Sequence, residues 1–103
     1  MVFDKVGYDE DGELCQINSE TEESKDLPEW SKEQERLQEL WDSQRTEDTY
    51  EFTIYYTDDD YWYAIPAEAR HWYDEGEYLG NGVKEAEETL RGWAKVAYPS
   101  SKA

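Results

Sequence analysis

The chain has 103 residues, enough for one small domain, and carries 27 acidic against 10 basic residues for a formal charge of −17. A field this negative repels nucleic acid and anionic membranes and attracts basic surfaces, so neither nucleic acid nor membrane is expected as a direct partner. Cys15 is the only cysteine, which excludes an internal disulfide and a cysteine-built zinc site.

Hydrophobic residues make up 37%, but 5 Trp, 9 Tyr and 2 Phe can fill a small core efficiently. A folded domain is therefore expected rather than an acidic tail, which would be poor in aromatics. The N-terminus "MVFDKVGYDEDG" has no apolar h-region, so no signal peptide is expected, and a reducing cytoplasm is the simplest setting. No run approaches the ~20 apolar residues of a membrane span.

In chain order, "VFDKVGY", "DEDG" and "ELCQIN" predict a hairpin turning at Asp11-Gly12. "SETEESKD" (19–26) is polar and aperiodic and reads as a loop, so 1–26 is a hairpin with an acidic loop. Over 27–45, "LPEWSKEQERLQELWDSQ" predicts a helix, with Pro28 or Ser31 at its start. Trp30, Leu37, Leu40 and Trp41 share a narrow apolar stripe with Gln34 between them, and Glu29, Glu33, Glu35, Glu39 and Asp42 lie mostly elsewhere. Over 50–66, "TYEFTIYYT" and "YWYAIP" predict two strands joined at Asp58–Asp60. Alternation puts Tyr50, Phe52, Ile54 and Tyr56 on one face of the first, and Tyr61, Tyr63 and Ile65 on one face of the second. Tyr55, Trp62 and Ala64 then fall on a second, partly aromatic face. Two helices are expected over 67–98. "PAEARHWYDEG" has Pro66 at its first position and Gly76 past its end; "NGVKEAEETLRGWAKVAYP" has Asn81 as cap, an apolar stripe through Val83, Ala86, Leu90, Trp93, Ala94 and Ala97, and Pro99 as stop. The whole reads as a small single α+β domain of antiparallel hairpins packed with two to three helices.

Catalytic and metal chemistry find little purchase. Consecutive side chains on an extended tip alternate in direction, so Asp58–Asp60 rarely converge on one cation that wants 6–8 oxygens. A solvated turn is the simpler reading. Aligning Gly12 with the EF-hand glycine puts Gly7 and Asn18 where ligands belong. Among 27 carboxylates some pair always has a plausible separation, so proximity says nothing of acid–base work. His71, the only histidine, has no nucleophile suggested by "EARHWYD", and no strand is expected to lead into the glycines of "GEYLGNG". No cofactor, metal or catalytic residue is assigned.

What remains is the carboxylate array. Residues 9–29 hold nine acids and one lysine, and residues 1–48 hold 16 acids and 5 bases. Alternate residues of a strand face sit about 6.6–7 Å apart, so spaced Asp and Glu can approach the charge density of a duplex. A basic nucleic-acid-binding site cannot tell such a surface from DNA by charge alone. The expected partner-binding residues are Asp9, Glu10, Asp11, Glu13, Glu20, Glu22, Glu23, Asp26, Asp58, Asp59 and Asp60, with Tyr55 and Trp62 as an aromatic centre.

In size and composition the chain resembles the small acidic DNA-mimic inhibitors of phages and mobile elements. That resemblance implies a non-catalytic decoy for a restriction enzyme, a CRISPR effector or another basic nucleic-acid-binding protein. Over 50–97, "YEFTIYYTDDDYWYAIP" followed by "GNGVKEAEETLRGWAKV" resembles the HicB antitoxin domain. Asp58–Asp60, Pro66, Gly82, Glu85 and Ala86 sit in the matching positions. This resemblance implies an α+β fold and a basic RNase toxin as partner. The family has a short third-strand approach where this chain has "AEARHWYDEG". A third reading is a generic acidic domain of a salt-adapted organism, against which the 6 lysines to 4 arginines lean. Homodimerisation is left open.

Overall fold

Two hairpins of one construction organise the chain. The structure is a computed structural model describing residues 2–45, 51–66 and 76–96. β1 (Lys5–Tyr8) pairs antiparallel with β2 (Leu14–Ile17), and β4 (Phe52–Tyr56) with β5 (Tyr61–Pro66). The Asp9 N–H donates to the Glu13 carbonyl and Thr57 N–H to the Tyr61 carbonyl, leaving three residues in each loop. Gly12 and Asp60 take the left-handed conformation at the third loop position, with φ of 80° and 67°. This is the turn-plus-bulge loop that suits the twist of a hairpin. A side-chain acceptor at the strand end braces each loop. Asp9 Oδ1 accepts from the Asp11 and Glu13 amides. Thr57 Oγ1 accepts from those of Asp59 and Tyr61.

An odd loop sets residues of equal parity opposite one another. Tyr56 therefore faces Trp62, and Ile54 faces Ala64. The expected faces of β5 are thereby corrected. Trp62 and Ala64 join Phe52 and Ile54 in the core, and Trp62 is only 2% exposed. Tyr61 and Tyr63 take the opposite face and are half-buried.

Each hairpin gains a third strand. β3 (Ser24–Lys25) pairs with β2 inside the segment expected to be a loop. β6 (Glu77–Asn81) pairs with β5, where only helices were expected. The strand orders are β1-β2-β3 and β4-β5-β6. Pro66, expected to open a helix, instead ends β5 opposite Phe52; the rest of that expected helix to residue 75, with His71, and the Pro99 stop lie outside the described residues.

α1 (Lys32–Gln44) starts at Ser31, not Pro28. The Ser31 hydroxyl accepts from the Gln34 amide, and the Gln34 side chain accepts from the Ser31 amide. That reciprocal cap stabilises the first turn. Trp30 precedes the helix and leaves the expected stripe; it is 50% exposed, with its indole N–H on Glu35. α2 (Val83–Val96) follows β6 directly. Its Ala86 and Leu90 are buried with Leu37 and Trp41 of α1 against Phe52, Ile54, Trp62, Ala64 and Leu79. Trp41, Phe52 and Trp93 form a three-ring cluster with centroids 5.6–5.7 Å apart, tilted or edge-on as ring quadrupoles prefer.

Both helices cover one face of the β4-β5-β6 sheet. The small β1-β2-β3 sheet is tied to the other face, where the Tyr63 hydroxyl donates to the Asp4 carbonyl at 2.7 Å. The free edge of β4 is closed by α1. Gln34 Nε2 donates to the Ile54 carbonyl at 2.7 Å, and Gln38 Nε2 to the Phe52 carbonyl at 2.8 Å. Gln38 Oε1 accepts from the Ile54 amide at 2.8 Å. Two glutamines one helical turn apart thus replace a neighbouring strand, and an open edge is the usual route to aggregation.

Candidate functional site

The three aspartates of the second hairpin tip point three ways. Asp58 pairs with Lys25 of β3, and its amide donates to Gln16 Oε1. The Lys25 ammonium holds the Asp58 carboxyl below the usual carboxylate range. The Asp59 carboxylate accepts from the Phe3 amide at 2.7 Å. Asp60 accepts from the Trp62 indole N–H at 3.0 Å. The tip is therefore a joint between the two sheets and the core, as well as an exposed acidic point.

The acids of residues 9–29 do not form one patch. Glu10, Asp11 and Glu13 lie at the β1–β2 turn, with Asp9 turned inward to brace it. Glu20, Glu22 and Glu23 lie at the β2–β3 turn, the opposite end of the small sheet. A four-residue strand separates the two ends by about 13 Å. Asn18 fixes the second turn: its Oδ1 accepts from the Glu20 and Thr21 amides, and its Nδ2 donates to the Val2 carbonyl. This end is the one bonded to Asp58 and Asp59, through Lys25 and Phe3. Asp58 and Asp59, from a distant part of the chain, are thus anchored to the strand end that carries the Glu20–Glu23 turn, and Glu20 lines one groove with Tyr61, the neighbour of Asp60. Asp26 is exposed beside β3, and its carbonyl accepts from Gln16 Nε2.

The aromatic centre also moves. Trp62 is buried and stacks on Tyr56 with centroids 4.8 Å apart, so it cannot serve as an exposed anchor. Tyr55 is half-buried; burial pushes its phenol up, with Tyr8 adding to the shift. Besides Trp30, the exposed aromatic among the described residues is Tyr78 of β6, 51% accessible, with Tyr61 and Tyr63 at 6.3 and 5.4 Å. Sequence reading missed it because β6 was not recognised. An open groove of about 480 Å³, lined by Val2, Asp4, Asn18, Glu20, Thr21 and Tyr61, adjoins this cluster through Tyr61.

A strand does lead into the glycines of "GNG", contrary to expectation, since β6 runs into α2. The junction is already filled. The Gly82 amide donates to the Asp60 carbonyl, and the Asn81 amide to the Glu85 carboxylate. A Cβ at Gly80, where φ is 139°, would lie 2.6 Å from Glu85 Cβ. Glycine here admits the helix rather than a phosphate. Nor does Asn81 cap α2; its Oδ1 accepts from the Tyr78 hydroxyl.

Cys15 is buried, and burial pushes its thiol up, which disfavours the nucleophilic thiolate. Among the described residues no three His, Cys, Asp or Glu side chains are placed to hold a metal ion, and no helix is long and apolar enough to cross a membrane. No family model, curated protein or solved structure matches the chain.

Proposed function

We propose that this chain is a non-catalytic acidic inhibitor of the cytoplasm. It occupies the basic nucleic-acid-binding surface of a partner protein, in the manner of a DNA mimic directed at a restriction or CRISPR-like enzyme. One observation carries the reading: two acidic turns, residues 20–23 and 58–60, have backbones braced by side-chain hydrogen bonds, and Lys25, Phe3 and a shared groove lined by Glu20 and Tyr61 link them. A charge array held in place loses little conformational freedom on binding. The carboxylates of Glu20, Glu22 and Glu23 make no hydrogen bond or ion pair with any described residue. Long-range attraction speeds encounter, and the tyrosines around Tyr78 supply apolar contact that slows dissociation.

A second reading, a HicB-like antitoxin masking a basic RNase toxin, is favoured by β6. With it, the order is strand, acidic turn, strand ending at Pro66, strand, glycine and helix. This accommodates the third-strand approach of that family. The two readings differ in partner: an antitoxin has one cognate toxin encoded beside it.

The test is a tagged pull-down from host lysate at low and high salt, followed by competition with duplex DNA. Recovery of a basic nuclease or DNA-binding enzyme at low salt, released by high salt and by DNA, is expected. Recovery of nothing specific would sink the decoy reading and leave the charge as solvation.

A further inference from the structure

The groove beside Tyr61 brings together an aromatic residue, an apolar residue and two acidic residues. One wall is the half-buried Tyr61 ring, backed by Tyr78. Val2, 46% exposed, adds an apolar lining. Two carboxylates stand on the lining. Asp4 accepts from the Ser19 amide at 2.9 Å and the Ser19 hydroxyl at 2.6 Å. Those bonds hold its carboxyl below the usual range, with Lys5 adding a smaller attraction, so it stays ionised. They use one lone pair on each oxygen and leave others open. Glu20 is exposed, and its carboxylate makes no hydrogen bond or ion pair with any described residue. Its backbone is pinned by the Asn18 side chain, and Asn18 is itself buried in the lining.

An aromatic face, a methyl-lined wall and two carboxylates complement a planar cation with several diverging donors. A guanidinium meets all of these; an ammonium is a compact charge that stacks less well and forks to carboxylates less well. We infer that this groove is an arginine-recognition site, taking one arginine side chain of the basic partner. As a statement about that partner it deepens the decoy reading and rests on it. Arginine dominates sites built to grip phosphates, so a mimic gains by engaging one directly rather than by field alone.

The experiment is a nitrogen-15 amide-shift titration of the full chain with acetyl-Gly-Arg-Gly-amide and its lysine and citrulline counterparts. Shifts are expected to centre on Asn18, Glu20, Thr21 and Tyr61. The arginine peptide is expected to bind about fivefold more tightly than the lysine peptide, with no measurable citrulline binding. Tyr61→Ala is expected to lose about fivefold and Tyr61→Phe almost nothing, because the ring face is kept. If Tyr61→Ala fails to fold, the exposed Glu20→Gln serves instead, with an expected loss of about threefold. Shifts spread evenly over all exposed carboxylates, or equal affinity for arginine and lysine, would overturn the inference. The two failures are distinguishable. Capture of a basic nuclease with no arginine preference removes the groove alone. Groove-centred shifts with no nuclease captured support the groove and remove the decoy reading.

Discussion

The Trp62 indole N–H donates to the Asp60 carboxylate at 3.0 Å, so the last residue of an acidic surface tip satisfies a donor of the core. Asp60 also holds the left-handed loop position, with φ of 67°. The two roles can be separated. Asp60→Asn keeps an acceptor and tolerates that backbone, and is expected to cost under about 0.5 kcal/mol. Asp60→Gly keeps the backbone and orphans the indole, at about 1 kcal/mol. Asp60→Ala loses both, at about 2–3 kcal/mol. Urea midpoints measured on the three variants give the order; equal midpoints would mean the indole bond contributes nothing.

Gln34, 3% exposed, and Gln38 close the edge of β4. Gln34→Ala leaves the Ile54 carbonyl without its side-chain donor and is expected to destabilise by about 1–3 kcal/mol. Gln38→Ala loses contacts to both Phe52 and Ile54 and reopens two backbone groups of the edge. It is expected to cost about as much and to raise self-association as well. Denaturation and sedimentation velocity check the two effects. A destabilised but strictly unchanged sedimentation profile would argue that α1 still covers the edge.

Local patterns were legible. Ser31 with Gln34 marks a helix start, the Val83–Ala86–Leu90–Trp93 stripe marks α2, and Asp11-Gly12 marks a turn. The α+β class follows from these. The face of Trp62 was also written in the sequence: three aspartates between Thr57 and Tyr61 make an odd loop, and parity then pairs Tyr56 with Trp62. Other features have no local signature. Phe3 and Asp59 are 56 residues apart, and nothing in either neighbourhood encodes their bond. Gln34 on an apolar stripe reads as an interruption until the strand edge it serves is known. β6 is short and has glycines at or beside both ends, so its sequence resembles a loop. The candidate site suffered most, because it forms where the two sheets meet.

The two acidic ends of the small sheet differ in what surrounds them, and binding should distinguish them. Neutralising Glu20, Glu22 and Glu23 together as glutamines removes three charges beside the Asp58–Asp60 tip. Neutralising Glu10, Asp11 and Glu13 as Gln, Asn and Gln removes three at the far end. Both triples remove the same net charge, so a difference between them reports position rather than total charge. On the proposed function the first triple is expected to weaken binding of the captured partner about tenfold more than the second, with slower association as a large part of the loss. Surface plasmon resonance at fixed salt measures it. Equal losses would mean that net charge alone drives binding.

Stability against pH tests whether the charge carries a conformational cost. Asp4 and Asp58 have carboxyls depressed in the fold, by hydrogen bonds from Ser19 and by Lys25 respectively. A depressed carboxylate stabilises the folded state fully above its unfolded value, near about pH 4, and the gain is lost as pH falls through the folded value. The formal charge of −17 acts in the opposite direction. Its self-repulsion is relieved as acids take up protons, which favours the compact state. The melting temperature is therefore expected to rise from pH 7 to about pH 5 and to fall below about pH 4. Added salt is expected to raise it at pH 7 and to do much less at pH 5, where less repulsion remains to screen. Lys25→Met removes the partner of Asp58 and so flattens the acid-side fall, while leaving the rise from pH 7 in place. A melting temperature that stays flat or falls between pH 7 and about pH 5, where the depressed carboxylates still contribute in full, would show that the charge carries no such cost.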